Sequence, residues 1–111
     1  MIWNPEHECM DKAALQKLQF ARLKNLVERV YTNVPFYRDT LDKMGVKPSD
    51  IRSLADIAKL PFTTKDDLRD TYPYGLLAVP QSEIVEIHMS SGTTGTPVVD
   101  AYTRRDMDDW S

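Results

Sequence analysis

A run of hydroxyl side chains interrupted by two glycines constrains the fold of this chain more than any other stretch. Residues 89–97 are Met-Ser-Ser-Gly-Thr-Thr-Gly-Thr-Pro, and apolar residues alternate with polar ones on both sides. Because Gly92 and Gly95 lack a Cβ, the backbone can adopt a positive φ there and direct successive N–H groups into one concavity. The run therefore predicts a loop that can surround a phosphate. A turn without any ligand explains the same composition, since Ser, Thr and Gly favour turns for conformational reasons alone.

The segments on either side of this run have the period of β-strands. Residues 84–89 alternate, which places Val85, Ile87 and Met89 on one face. Residues 97–102 alternate in the same way and form the return strand. The sequence thus predicts an antiparallel hairpin with the Ser/Thr/Gly run at its tip. His88 is the histidine nearest the loop; it is a candidate for orienting a substrate, although a structural role is the more common one for a strand histidine.

Helical patterns dominate the chain before the hairpin. Residues 1–10 form a leader that we expect to be extended and pinned by Trp3. Residues 12–31 contain no Pro or Gly and carry their apolar residues on one broad face, which predicts an amphipathic helix capped by Asp11. A second helix is expected to begin at Pro35 and to end at Gly45, where glycine permits the left-handed conformation.

Three hydroxyl residues are each followed by an acid three positions later, which is the signature of a capped helix start. Ser53 with Asp56 predicts a short helix to about residue 60, and Thr64 with Asp67 predicts another to about residue 70. Thr103 with Asp106 predicts a helix that has completed barely two turns at residue 111, which suggests a truncated chain. Helix capping also explains Asp56, Asp66 and Asp67 without any catalytic role.

Composition excludes several classes of function. The chain has 111 residues, 28% of them charged, and a net charge of −3, so it gives no electrostatic reason to expect nucleic acid or anionic lipid as a partner. Cys9 is the only cysteine, which excludes an internal disulfide and a cysteine-rich zinc site. The first ten residues contain no apolar core typical of a signal peptide, so the cytoplasm is the expected location.

The loop itself matches a known pattern. Residues 91–97 agree at every defined position with Ser/Thr-Gly-Ser/Thr-Thr-Gly-x-Pro, and the loop therefore resembles the phosphate loop of the AMP-forming, acyl-adenylating ligase superfamily. It is not a Walker loop, because Gly92 and Gly95 are three residues apart and no Lys follows them.

Other segments extend the resemblance to one family of that superfamily. They are Asn-Val-Pro-Phe-Tyr-Arg at residues 33–38, Leu-Pro-Phe-Thr-Thr-Lys-Asp-Asp-Leu-Arg at 60–69, Tyr-Pro at 72–73 and Ile-His-Met-Ser-Ser-Gly at 87–92. Their order and spacing are similar to those in the amino-terminal region of the phenylacetate–coenzyme A ligases. The resemblance covers most of the chain from Leu26 onward.

The resemblance implies an α+β fold that is part of a larger acyl-adenylating enzyme. Residues 1–80 would be a helical amino-terminal region of about four helices, and residues 81–111 would begin the large adenylate-forming domain with a strand, the phosphate loop, a strand and a truncated helix. The residues implied to bind the β- and γ-phosphates of ATP are Ser90, Ser91, Gly92, Thr93, Thr94, Gly95 and Thr96. No catalytic residue and no metal ligand of the family would lie in these residues, so the chain alone is expected to be inactive.

The implied partners are an aryl acid, ATP with Mg²⁺, coenzyme A and the remainder of the same chain, and a homo-oligomer is compatible with the sequence. Tyr72 and Tyr74 are candidates for lining an aryl-acid pocket, but loop packing explains them equally well. The loop departs from the family at Thr96 and Val98, where a Lys is often found, so it brings no positive charge of its own. Two other classes remain open: a small helical interaction module, and a nucleotide-binding protein outside the ligases.

Overall fold

The computed structural model describes residues 1–90 and 95–110, which form α-helices, 3-10 turns and one antiparallel hairpin. The α-helices are α1 (Pro5–Glu8), α2 (Lys12–Asn33), α3 (Pro35–Met44), α4 (Lys65–Asp70) and α5 (Arg104–Trp110). The strands are β1 (Ile84–Met89) and β2 (Val99–Thr103), and the 3-10 turns are Pro48–Asp50, Leu54–Lys59 and Gln81–Glu83. The α+β class predicted from the sequence is confirmed.

The long helix α2 begins and ends where local chemistry favours it. The Asp11 carboxylate accepts the Ala14 N–H at 2.7 Å, which satisfies one of the free donors of the first turn. The helix ends at Val34, which is extended with φ −118° and ψ 102°. The residue before a proline disfavours the helical conformation, so Pro35 explains why the helix stops here and a new one starts.

A small core forms where α2, α3 and the residue after the first 3-10 turn meet. The fully buried apolar side chains of the described residues are Val27, Val34, Leu41 and Ile51, each at most 3% exposed. Helix α3 ends at Gly45 with φ 72°, and the N–H of Val46 donates to the Leu41 carbonyl at 2.9 Å. This is the left-handed helix end predicted from the glycine.

The two hydroxyl–acid pairs before residue 80 start short helices as predicted. Asp56 accepts the N–H of Ser53 at 3.0 Å, and Asp67 accepts the N–H of Thr64 at 2.8 Å. The first of these helices, Leu54–Lys59, is a 3-10 helix, and the second is α4. Capping therefore accounts for Asp56 and Asp67.

The expectation of an extended leader was wrong. Asn4 caps one helical turn, α1, by accepting the His7 N–H at 3.3 Å, and Pro5 occupies the first helical position, where its fixed φ is favourable. Trp3 is 71% exposed, so it is not the buried anchor that was expected. With this turn and Pro48–Asp50, the described part of the helical region holds six short or long helices where about four were expected.

The hairpin pairs β1 with β2 in antiparallel register. Ile87 lies opposite Ala101 and Met89 opposite Val99, and a register shift between Ile84 and Glu86 marks a bulge. The strand β1 has the bounds predicted from its alternation, whereas β2 begins two residues later than the predicted return strand. No helix within residues 1–90 and 95–110 is long and apolar enough to cross a membrane.

Candidate functional site

The tip of the hairpin is closed by two hydrogen bonds between the same two residues. The Ser90 N–H donates to the Val98 carbonyl at 2.9 Å. The Val98 N–H donates in return to the Ser90 hydroxyl oxygen, also at 2.9 Å. These bonds continue the pairing one step beyond Met89 and Val99. They set the two ends between which the Ser/Thr/Gly run lies.

Gly95 has the backbone conformation for which glycine was expected. Its φ is +114°, which L-residues with a side chain rarely adopt. A Cβ placed on Gly95 would meet no atom of the described residues within 4 Å. The backbone conformation, rather than lack of space, is therefore what requires glycine at this position.

The seven predicted phosphate-binding residues divide into two groups. Ser90, Gly95 and Thr96 belong to the described part of the chain, and Thr96 is exposed. Ser91, Gly92, Thr93 and Thr94 lie outside the described residues. Phosphate binding by this set stays a prediction.

His88 is held by neighbours on the hairpin and on α5. Its Nε2 lies 2.6 Å from a carboxylate oxygen of Glu86 on the same strand. Its ring packs at a centroid distance of 5.0 Å from Tyr102 and 5.8 Å from Trp110. Tyr102 and Trp110 are themselves 5.4 Å apart. These contacts give His88 a structural role in joining α5 to the sheet.

A cavity of about 200 Å³ lies beside β2, on the side of the loop that follows α4. Its lining residues are Leu68, Pro73, Tyr74, Leu76, Leu77, Val99, Asp100, Ala101 and Tyr102. Tyr74, one of the two tyrosines considered for an aryl-acid pocket, belongs to this lining, and Tyr72 does not. Most of the lining residues are apolar, and Asp100 with the two tyrosines adds polar groups.

The ionic contacts of the helical region are distant in sequence from the loop. They stabilise the helices and the turns next to them. The Asp42 carboxylate accepts hydrogen bonds from Lys47 Nζ at 2.6 Å and from the Tyr31 hydroxyl at 2.7 Å, which lowers the pKa of Asp42. Asp66 pairs with Arg69 at 3.0 Å within α4. In the described ranges there is no group of three His, Cys, Asp or Glu side chains that could hold a metal ion.

Sequence reasoning missed the part played by Val98 and the second role of Ser90. Val98 was expected to be an ordinary residue of the return strand, but its N–H bonds to a side chain. The available signal was the position of a serine directly after a strand, because serine hydroxyls readily replace a backbone partner.

Sequence comparison finds close relatives among phenylacetate-coenzyme A ligases. That of Thermus thermophilus is 51% identical over 107 residues, which is 96% of this chain and 24% of the relative. That of Escherichia coli K12 is 48% identical over 114 residues, which is 100% of this chain and 26% of the relative. The chain therefore spans about a quarter of the length of these curated relatives. No family model matches it.

Solved structures of an acyl-coenzyme A ligase share the fold. A crystal structure of 2-hydroxyisobutyryl-CoA ligase in complex with 2-HIB-AMP and CoA, in the thioesterification state, matches with a TM-score of 0.80 and 35% identity. The match covers 92% of this chain and 23% of that one. An open conformation of the same ligase matches with a TM-score of 0.77 and 33% identity.

Proposed function

We propose that this chain belongs to the phenylacetate–coenzyme A ligase family and forms part of an AMP-forming ligase for an aryl acid. The observation that carries the proposal is the 51% identity to the ligase of Thermus thermophilus over 96% of the chain. Identity spread over the whole chain supports a shared role better than a match confined to the loop. The comparisons favour neither an independent interaction module nor a nucleotide-binding protein outside the ligases.

The proposed reaction has two steps. A carboxylate oxygen of the acid attacks the α-phosphorus of ATP, the bond from that phosphorus to the bridging oxygen breaks, and pyrophosphate leaves. The thiolate of coenzyme A then attacks the acyl carbon, and AMP leaves with the electron pair of the broken carbon–oxygen bond. The solved structure of 2-hydroxyisobutyryl-CoA ligase with 2-HIB-AMP and CoA supports the use of ATP and of coenzyme A in this chemistry. A cytoplasmic setting is part of the proposal.

The run from Ser90 to Thr96 would bind the β- and γ-phosphates during the first step. Hydroxyl and backbone donors placed where pyrophosphate gains charge stabilise the transition state more than the ground state. The positive φ of Gly95 and the closed tip at Ser90 and Val98 support this role, because they constrain the backbone at both ends of the run. Residues 81–111 would begin the adenylate-forming domain, and residues 1–80 would be its helical extension.

Mg²⁺ would enter this proposal together with ATP. In the part of the chain that the structure describes there is no group of three His, Cys, Asp or Glu side chains, and Mg²⁺ is usually held by one or two carboxylates together with the phosphates of the nucleotide. No step is assigned to the metal. The charge of the phosphates would be balanced by parts of the longer protein beyond these residues, since the loop has no Lys at Thr96 or Val98.

The proposal is tested in the longer protein that carries this segment. With phenylacetate and ATP it should release pyrophosphate, and the double change Thr93→Ala, Thr94→Ala should slow adenylation roughly 10- to 1,000-fold, the size typical of removing donors from developing charge. Thr32→Ala, at an exposed position of α2, is the matched control and should leave the rate unchanged. An unaltered rate in the double variant would remove the loop from the mechanism, and absence of pyrophosphate release from any aryl acid would overturn the proposed reaction.

A further inference from the structure

Ser90 closes the hairpin tip in a way that differs from regular strand pairing. In an antiparallel sheet, two opposite residues of a hydrogen-bonded pair exchange both of their N–H···O=C bonds. Ser90 and Val98 make the first of these, from the Ser90 N–H to the Val98 carbonyl. In the second, the acceptor of the Val98 N–H is the Ser90 side-chain oxygen. The hydroxyl thus takes the place that the Ser90 carbonyl holds in a regular ladder.

This bond makes the Val98 N–H depend on the side chain of Ser90 rather than on its backbone. The hydroxyl oxygen accepts the N–H with one of its lone pairs. A change of the Ser90 side chain therefore removes the acceptor, whereas in a regular ladder the acceptor would be a backbone carbonyl that no substitution can delete.

Thr96 provides a contrast within the same run. Its side chain is exposed and has no hydrogen bond to another residue of the described ranges, whereas the Ser90 oxygen accepts a hydrogen bond at 2.9 Å. Two hydroxyl groups that the sequence alone treats as equivalent phosphate donors are therefore in different situations. The Ser90 hydroxyl is bonded to the backbone of the opposite strand, and the Thr96 side chain is exposed.

We infer that Ser90 is a positioning residue for adenylation: its hydroxyl oxygen closes the loop on Val98 and so sets the spacing of the two strand ends that hold the phosphate-binding run. The inference rests on the proposed function for its catalytic consequence. The hydrogen bond itself does not depend on that function. The inference thus revises the proposed phosphate-binding set at one residue: the Ser90 side chain acts through Val98, and direct contact with the phosphates is left to the other residues of the run.

The experiment removes the bond from each end in the longer ligase. Ser90→Ala deletes the acceptor, and Val98→Pro deletes the donor while the serine hydroxyl stays in place. Each should slow adenylation about 3- to 10-fold, the effect of one neutral hydrogen bond, and the double variant should be no slower than the slower single one. Ser90→Thr keeps the oxygen and should stay within about twofold of the wild type. Ser82→Ala, at an exposed position before β1, is the control.

Two further readouts separate positioning from general damage. Thioester formation from a supplied acyl-adenylate should be unchanged in Ser90→Ala, because only the first step uses the phosphate-binding run. Hydrogen exchange measured by mass spectrometry over residues 95–102 should be faster in Ser90→Ala and unchanged in Ser82→Ala. If Val98→Pro fails to fold, Ser90→Thr and Ser90→Val are compared instead, because their side chains have the same shape and only threonine keeps the acceptor. Slower adenylation in Ser90→Val than in Ser90→Thr is then the expected result.

The opposing outcomes are distinct. Additive losses in the double variant, or a loss in Ser90→Ala with none in Val98→Pro, would show that Ser90 acts on the phosphate directly and would overturn the inference. Unchanged adenylation together with unchanged exchange in Ser90→Ala would overturn it as well. If the wild-type protein releases no pyrophosphate, the proposed function falls by itself, and the exchange measurement still decides whether Ser90 holds Val98.

Discussion

At the scale of single residues, two glycines far from the loop are required for different physical reasons. Gly45 ends α3 with φ 72°, and a Cβ there would meet nothing within 4 Å. Gly75 has no positive φ, but a Cβ there would lie 2.6 Å from the Thr71 carbonyl oxygen. That oxygen already accepts the Gly75 N–H at 2.7 Å, so it has no freedom to move away.

We therefore expect Gly75→Ala to destabilise the protein by about 1–3 kcal/mol, the usual cost of forcing extra atoms into packed structure. Gly45→Ala should cost about 1–2 kcal/mol from the left-handed backbone alone, and Gly45→Asn should cost less because asparagine tolerates that conformation. Urea denaturation measures these free energies of unfolding. Equal costs for Ala and Asn at position 45 would contradict the backbone explanation.

The sequence predicted the role of Gly45 but not that of Gly75. At the loop it predicted the positive φ of Gly95 but not the contact between Ser90 and Val98. The role of Gly45 follows from its place after an apolar helical stretch, and the positive φ of Gly95 follows from the need for tight turning in a Ser/Thr/Gly run. The contact of Ser90 with Val98 joins residues eight positions apart. Its existence depends on how the two strands approach each other, which no local pattern specifies.

At the scale of elements, the start of the Leu54–Lys59 helix depends on one carboxylate. Asp56 accepts the N–H groups of Arg52 at 2.7 Å and Ser53 at 3.0 Å, and it pairs with Lys59 at 3.1 Å. The Arg52 backbone hydrogen bond, followed by Lys59, lowers the pKa of Asp56 below its ordinary value of 3.8. A carboxyl whose pKa is lower in the folded state stabilises the protein above its unfolded pKa.

That stabilisation should be complete above pH 3.8 and should disappear as the pH falls through the lower pKa of the folded state. Asp56→Asn should therefore make the free energy of unfolding less dependent on pH in this acidic range. Urea titrations between about pH 2 and 5 measure this dependence, and parallel curves for wild type and Asp56→Asn would count against the cap as the cause.

Helix starts marked by a hydroxyl and an acid were the easiest features to predict. The other element boundaries were the hardest. A hydroxyl and an acid three residues apart specify a helix start locally, so Ser53, Thr64 and Thr103 were recognised from sequence. The turn α1 was missed, because Asn4 caps it without an acid in the expected position of the box. The start of β2 was misplaced, because the Val98 N–H bonds to a side chain and so leaves the ladder.

At the scale of the molecule, the hairpin has an apolar face that the described residues cover only in part. Val85, Ile87 and Met89 share that face and are 50%, 45% and 57% exposed. The chain spans about a quarter of the length of its relatives. If it is part of a longer ligase, as proposed above, we expect the rest of that protein to cover this face. A two-stranded hairpin is marginally stable by itself, and exposed strand edges recruit other strands.

Studied alone, the 111-residue chain should therefore associate through its hairpins or show fast hydrogen exchange over residues 84–102. Ile87→Lys should reduce association measured by light scattering, because a charge on the apolar face disfavours pairing. Ile57→Lys is the matched control, since Ile57 is 58% exposed on the Leu54–Lys59 helix and should have no effect. A monomer whose hairpin exchanges as slowly as α2 would show that these residues support the hairpin by themselves.

The packing of α5 on the hairpin also gives the protein an optical signal. The chain has two tryptophans, Trp3 and Trp110, and only Trp110 has recorded ring contacts, with His88 and Tyr102. In a Trp3→Phe variant, all indole emission would come from the place where α5 meets the sheet. Light absorbed by Tyr102 would reappear as Trp110 fluorescence while the two rings stay 5.4 Å apart, so detachment of α5 could be followed in real time without any added dye.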